Sequence, residues 1–428
     1  MAQQLYFSRD SKMFIEFDGA VWEVPVLDGF SFSQATNSTE ITLNEMESAG
    51  GVSRRGRRAF NDSLAPGEWS FSTYVRPFKS STTGTGKADS AAEVHAVEEV
   101  LWALYAGAKN YDTGTFDFDT GGTNVITPAT ASSVITLGSS NSSTLGTANV
   151  YFVLGESNRK IMKLRDITVN EASVDFDIDG ISTINWSGSS SELVDFTGST
   201  HTDATLPVTS DVTGDGSTIA VGDVWLDSDD SHRLFVMTNV TGGAEAATPY
   251  INEGIAATSN FIRNRLTQLT IVPTSQDPDG DSVNELESSY SLTLTGGNVT
   301  FTNNISYITP EELGTVNVPI GHVTGTRSVS GSFTCYLTED TAATNASADF
   351  FEDVRGITNV VTNSFALTFK IGGASGTPRL EINMGTCHVE VPTHSIEDVI
   401  SLETNFMALP STITGTDEAT ITYFGALV

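Results

Sequence analysis

The chain reads as a mainly β protein with a minor helix in each of two repeats, and three observations predict this. Gly, Ser, Thr, Asn and Asp are abundant. Strand-like runs of about four to eight residues recur between turn signals, as in a sandwich or barrel. One pattern also occurs twice: Ser70-Phe71-Ser72-Thr73-Tyr74-Val75 returns as Ser332-Phe333-Thr334-Cys335-Tyr336-Leu337. Both copies alternate small polar with large apolar side chains, as a half-buried strand requires.

The echoes keep their order. Upstream, Phe32-Ser33-Gln34 and Asn37-Ser38-Thr39 match Phe301-Thr302-Asn303-Asn304-Ile305-Ser306, and each is followed by Ile-Thr (Ile41-Thr42, Ile308-Thr309). Downstream, residues 91–106 place Val94, Val97, Leu101, Leu104 and Tyr105 at helical spacing, with Glu93, Glu98 and Glu99 between them and Gly107 at the end. This predicts an amphipathic helix packed on a sheet. His95 within it reads as a surface or capping residue, since no ligand partner sits at i+4. Residues 347–355 form a weaker counterpart. Closing strands match by pattern: Val174-Asp175-Phe176 with Val389-Glu390-Val391, and Asn185-Trp186 with Asn405-Phe406. An internal duplication is therefore expected.

Two tracts look inserted. Residues 112–149 are dominated by Thr, Ser, Gly and Asn and predict a long loop or exposed hairpin. Residues 197–260 carry Val224-Trp225 and Leu234-Phe235-Val236-Met237 around a turn at 227–231, and read as a small β subdomain or a linker with one hairpin. The expected domains are 1–195, an insertion over 196–260, and 261–428.

With 428 residues, the chain can bury a sizeable core without staples. Cys335 and Cys387 are the two cysteines, so a disulfide framework is excluded and a reducing compartment expected. No basic and apolar leader or run of membrane-span length is present, which predicts cytoplasmic synthesis and no membrane insertion. Lys plus Arg number 21 against 53 Asp plus Glu, a net charge of −32. Such a surface repels phosphates on average and argues against wrapping nucleic acid.

Catalytic signatures are absent: there is no HExxH, paired CxxC, GxGxxG, Walker loop or GxSxG. Cys387-His388 with His394 lacks a fourth zinc ligand, and strand alternation puts Cys387 and His388 on opposite faces. The acidic run from Asp277 to Glu285 lacks EF-hand spacing and reads as a hairpin turn. No enzyme activity, cofactor or metal is expected. The most conspicuous charge run is Arg54, Arg55, Arg57 and Arg58. Nucleic-acid contact and a solvated loop are alternatives, but docking on the acidic surface of a neighbouring copy is preferred, because self-association of so acidic a chain needs complementary charge.

Several motifs carry a resemblance. Asn37-Ser38-Thr39-Glu40-Ile41-Thr42, Asn44-Glu45, the run Arg57 to Leu64 with Phe60 and Asn61, and Glu68-Trp69-Ser70-Phe71 form one block. Asn264-Arg265-Leu266-Thr267, Thr295-Gly296-Gly297, Asn303-Asn304 through Pro310, and Val318-Pro319-Ile320-Gly321 form another. Together they resemble the major tail tube proteins of long, non-contractile-tailed bacteriophages of the T-five group. The resemblance implies two tandem tube-type β domains per chain, three chains closing a pseudo-hexameric ring, and rings stacking into a conduit for genome delivery. It implies a virion protein assembled in the host cytoplasm, with itself, tape measure, and tail-tip or terminator proteins as partners, and viral DNA passing unbound. Asn37, Thr39, Glu45, Phe60, Asn61, Trp69, Phe71, Asn303, Asn304, Pro310 and Pro319 are the structural residues it marks. Some relatives append an immunoglobulin-like domain, whereas residues 412–428 read as a last core strand. A competing reading is a surface-displayed carbohydrate-binding module using Trp225.

Overall fold

Alternating burial sets the architecture. In Phe365–Ile371 every second side chain is buried, because successive Cβ atoms of a strand point to opposite faces. The computed structural model describes residues 5–42, 57–137, 144–155, 158–207, 219–241, 244–278, 286–313, 316–339, 346–356, 364–413 and 415–427. Within these, mostly strands are found, with two α-helices.

The first half contains β1 (Ser11–Phe17), β2 (Ala20–Glu23), β3 (Ser31–Thr42), β4 (Arg57–Tyr74), α1 (Glu99–Ala106), β5 (Ala148–Leu154), β6 (Lys160–Asp177), β7 (Thr183–Ser190) and β8 (Glu192–Asp195). The second contains β9 (Gln268–Pro273), β10 (Tyr290–Leu292), β11 (Leu294–Thr302), β12 (Ser328–Tyr336), α2 (Ser347–Gly356), β13 (Phe365–Ile371), β14 (Arg379–Val389), β15 (Ile400–Ala408) and β16 (Thr420–Phe424). Their antiparallel pairings run in step. In the first half β1 pairs with β2 and β5, β5 with β6, β6 with β7 and β8, β7 with β4, and β4 with β3. Adding eight to each label gives the second half: β9 with β10 and β13, β13 with β14, β14 with β15 and β16, β15 with β12, and β12 with β11.

Register follows too. Val75 N–H donates to Ser182 O as Leu337 N–H donates to Ile400 O, Ser70 lies opposite Ser187 as Ser332 lies opposite Asn405, and Phe32 faces Trp69 as Val299 faces Gly331. The Ser70-Phe71 and Ser332-Phe333 echo therefore stands in structural register, while the matches of Asn185 with Asn405 and of Phe32 with Phe301 are two residues out. A strand pattern of period two cannot distinguish such a shift.

One long strand serves two sheets. The first part of β6, to Ile167, pairs with β5 and β8, and its second part, from Thr168, with β7 in a ladder that shifts register between Val169 and Glu171. Asp166, with φ 49°, sits near that crossing. The second part also joins the halves: Glu171–Asp177 pair with Gly296–Thr302 of β11, Ala172 opposite Phe301.

Beneath this junction lies α1, all eight of whose residues are buried. Trp102 meets Trp186 edge-on at 4.9 Å and Phe301 at 5.3 Å, and its Nε1 donates to the Tyr423 hydroxyl at 2.7 Å. The helix is shorter than the expected 91–106. Val94–Ala96 instead pair as a strand with Pro77–Lys79, and Glu98 and Glu99 face inward rather than toward water. Gly107, left-handed at φ 93°, closes it and returns its N–H to Ala103 and Leu104. The second helix, at Ser347–Gly356, agrees with expectation and buries Phe350 and Val354.

His95 departs from its surface assignment. It is 1% exposed, with Nε2 2.6 Å from Asp89 and Nδ1 2.9 Å from Glu99, the residue at i+4. Burial alone would lower its pKa, but Glu99 and Asp89 overrule it and push the imidazole up to about 10. Glu98, desolvated beneath Tyr423, rises to about 7.

Both inserted tracts are tied in. Ser133–Thr136 pair with β16, burying Ile135, so part of the expected loop is a sheet strand. Thr200–Asp203, Val224–Asp227, Leu234–Asn239 and Ala246–Ala247 form a four-stranded sheet rather than one hairpin. Its Val224, Leu226, Leu234 and Val236 pack with Phe14, Val21 and Tyr151.

Two measurements test this packing. Trp102→Ala is expected to lower unfolding stability by about 3–5 kcal/mol in denaturant titrations, since it removes a buried ring and the hydrogen bond that Tyr423 accepts from it. Protonated His95 stabilises fully below the free imidazole pKa of about 6.5 and progressively less as pH climbs through about 10. The melting temperature should therefore fall between pH 7 and 10, and should fall less in His95→Gln, whose start is already lower.

Candidate assembly surface

One face of the joined sheet covers the core and the other is open. Cross-strand partners put Ser31 and Ser33, then Glu68, Ser70 and Ser72, then Asn185 and Ser187 on the open face. The row continues through Glu171, Ser173, Asp175 and Asp177 and, beyond the junction, Asn298, Thr300 and Thr302. Ser330 and Ser332 follow, then Glu403, Asn405 and Met407, and His388 at the far strand. Glu390 belongs here too, accepting from Asn405 Nδ2 at 2.9 Å. The carboxylates of this face are Glu68, Glu171, Asp175, Asp177, Glu390 and Glu403. No lysine or arginine stands on its paired positions. Desolvation pushes the Asp175 carboxyl up, against hydrogen bonds from Ser173 and Asn185.

The same sheet ends in a strand edge and an arm. Among the described residues β3 has a ladder partner on one side alone, β4. Beyond Gly67 the two strands continue as a hairpin whose side chains at 36–41 and 57–62 are exposed. Asn37 Nδ2 donates to Ser63 at 3.0 Å, Thr39 bonds Asp62, and Arg57 pairs with Glu40 at 3.1 Å. Phe60 is 48% exposed and Asn61 lies opposite Ser38. Arg58 is exposed on the same strand. Glu45, Arg54 and Arg55 lie outside the described residues.

Other marked positions are distributed through the body. Trp69 and Phe71 stack at 5.0 Å within the core. Asn303 is buried at the junction, where its Nδ2 donates to the carbonyls of Tyr105 and Val169 at 3.0 and 3.2 Å. Asn304 adopts φ 52° and donates to Thr326 O at 2.6 Å. Pro310 is half-buried and Pro319 buried. Sequence reasoning missed Trp102, Asp89 and the open-face acids; Trp102 at the centre of an apolar helix was the available signal.

Sites for chemistry find little support. Cys387 lies inside and His388 outside, as alternation requires, and His394 packs edge-on against Phe351 at 4.4 Å. Of the acidic run at 277–285, residues 279–285 lie outside the described residues. Asp89, Glu93 and His95 form a group with metal-ligand proximity. Both imidazole nitrogens already contact carboxylates, and Asp89 also accepts from the backbone of Ala91, Ala92 and Glu93, which makes the group a structural clamp. Trp225 is 9% exposed with its ring stacked on Phe235 at 4.7 Å, so it offers no open platform to a sugar.

No family model matches the chain. It is 27% identical over 399 residues to the tail tube protein pb6 of Escherichia phage T5, a match covering 92% of this chain and 69% of that protein. The match covers most of this chain, which is on that basis similar to a T5-type major tail tube protein.

Proposed function

We propose that the two halves are tandem copies of one tube domain and that three chains close a ring of six such domains, rings stacking into a hollow conduit for the phage genome. The carrying observation is the junction inside the chain. There β6 of the first half extends the sheet by pairing with β11 of the second. The positions equivalent to this pair are the end of β14 and the strand β3. If the end of β14 in one copy meets β3 of the next as β6 meets β11, the sheet continues from chain to chain and protects an edge that would otherwise invite uncontrolled pairing.

The junction supplies the register. Glu171 opposite Thr302 translates to Glu390 opposite Ala35 in the neighbouring copy. Eight strands per chain (β3, β4, β7, β6, β11, β12, β15 and β14) would give about twenty-four in a ring. At roughly 4.8 Å between strands and tilts near 40°, such a barrel measures on the order of 45–50 Å across its backbone. The open face would line the bore. Its carboxylates would repel phosphates, acting within about 8 Å at physiological salt, so DNA passes without sticking. The ring is assembled in the host cytoplasm, with tape measure and tail-tip or terminator proteins setting where stacking begins and ends. No bond is made or broken.

Electron microscopy of the purified protein at high concentration is expected to show stacked rings with a stain-filled bore; discrete single-chain particles would contradict the reading. The register has its own check. An Ala35→Cys, Glu390→Cys double variant should give disulfide-linked dimers and trimers on a non-reducing gel, with neither single variant doing so. Replacing Glu68, Glu171 and Asp175 by Lys should leave rings intact but cause salt-sensitive retention of duplex DNA, which wild-type tubes should not show.

A further inference from the structure

The two ends of the joined sheet are unlike. At one stands the arm, at the other the turns that lead into β7 and β15. β4 runs from the arm, at Arg57, to Tyr74 opposite Thr183. Its 18 residues at about 3.3 Å each separate the two ends by roughly 55–60 Å. The hairpin between Thr393–Ile396 and Ile400–Ala408 lies at the turn end, because Tyr336 there pairs with Ser401.

The surfaces at the two ends are complementary. On the arm, Ile41 lies opposite Arg58 and Thr39 opposite Phe60, which puts Ile41, Phe60 and Arg58 on one face. Ile41 and Phe60 are each 48% exposed. On the far hairpin, Ile396 is 79% and Val399 57% exposed, flanking the exposed Glu397 and Asp398. The first half offers a smaller version of the same turn, with Ile178 44% and Ile181 39% exposed around Asp179, which Arg265 already contacts at 3.7 Å. Exposed large apolar side chains beside charge, at both tips of an acidic molecule, mark contact surfaces.

We propose that the 396–399 turn is the axial receptor for the arm of a second copy. Ile41 and Phe60 pack on Ile396 and Val399, and Arg58 faces Glu397 and Asp398. A contact between opposite ends of identical chains is heterologous and does not close on itself, so it repeats along an axis. This inference rests on the tube reading above and adds which surfaces join successive rings. Burying these side chains supplies the attraction, and the arginine opposite two acids sets polarity: two turn ends bring their acids together.

The test separates stacking from ring closure. Purified wild type, Ile396→Ser/Val399→Ser, and Arg58→Glu are compared by size-exclusion chromatography and negative-stain microscopy, with melting temperatures recorded. Both variants replace exposed side chains and are expected to melt within a few degrees of wild type. They should yield isolated rings and a tenfold or greater loss of tube length. Combining Arg58→Glu with Glu397→Lys and Asp398→Lys should restore tubes. Tubes of wild-type length in both single-surface variants, or no recovery in the charge swap, would overturn the proposal while leaving the ring reading intact. A wild type that forms neither rings nor tubes would overturn both.

Discussion

The fold depends on the seam where Glu171–Asp177 of β6 meet Gly296–Thr302 of β11. It turns two sheets into one, and the chain places its largest buried side chains behind it. Trp102, Trp186, Phe301 and Tyr423 come from four separate parts of the sequence and converge there, with Asn303 tying the second half to the end of α1. Ladder bonds alone would leave the two halves free to hinge. The aromatic cluster fixes their angle, because each ring is packed on more than one side and interiors at native density resist sliding. A helix polar enough to be solvated could not fill this space, which is why every residue of α1 after Glu99 is apolar.

Charge follows the same logic. The open face combines small hydroxyl and amide side chains with carboxylates, and described cations such as Arg327 and Arg76 lie elsewhere. Both hold structure: Arg327 meets Glu418 at 2.7 Å with both side chains nearly buried, and Arg76 donates to the carbonyls of Gly254, Ile255 and Ala257. The net charge of −32 is therefore unevenly distributed, with a smooth, anionic sheet surface on one side and paired cations within the body. A surface of this composition suits sliding contact with a polyanion better than grip.

Much of this was legible in the sequence. Period-two alternation located β4, β12, β7 and β15, and the order of echoes matches the order of pairings. What escaped has physical reasons. The two-residue error in matching Phe32 with Phe301 and Asn185 with Asn405 arises because alternation repeats every two residues, so equal patterns fit equally well. His95 was misplaced because Glu99 was read as part of a wet helical face, and only the tertiary partner Asp89 shows that it turns inward. Ile135 looked like part of a loop because its strand is short and its partner, Ile421, lies in the last strand. In the proposed ring the mates of the free edge on β3 would belong to another molecule, and no pattern within one chain could display them.

The four-stranded sheet over 200–247 occurs once, between the halves, and packs on the outward side of β1, β2 and β5. In the proposed annulus of three chains this sheet would add one ridge per chain to the exterior of a near-sixfold wall. Successive annuli, each rotated on the last, would wind those ridges into a screw thread, giving the exterior a handedness and a pitch that a smooth bore lacks.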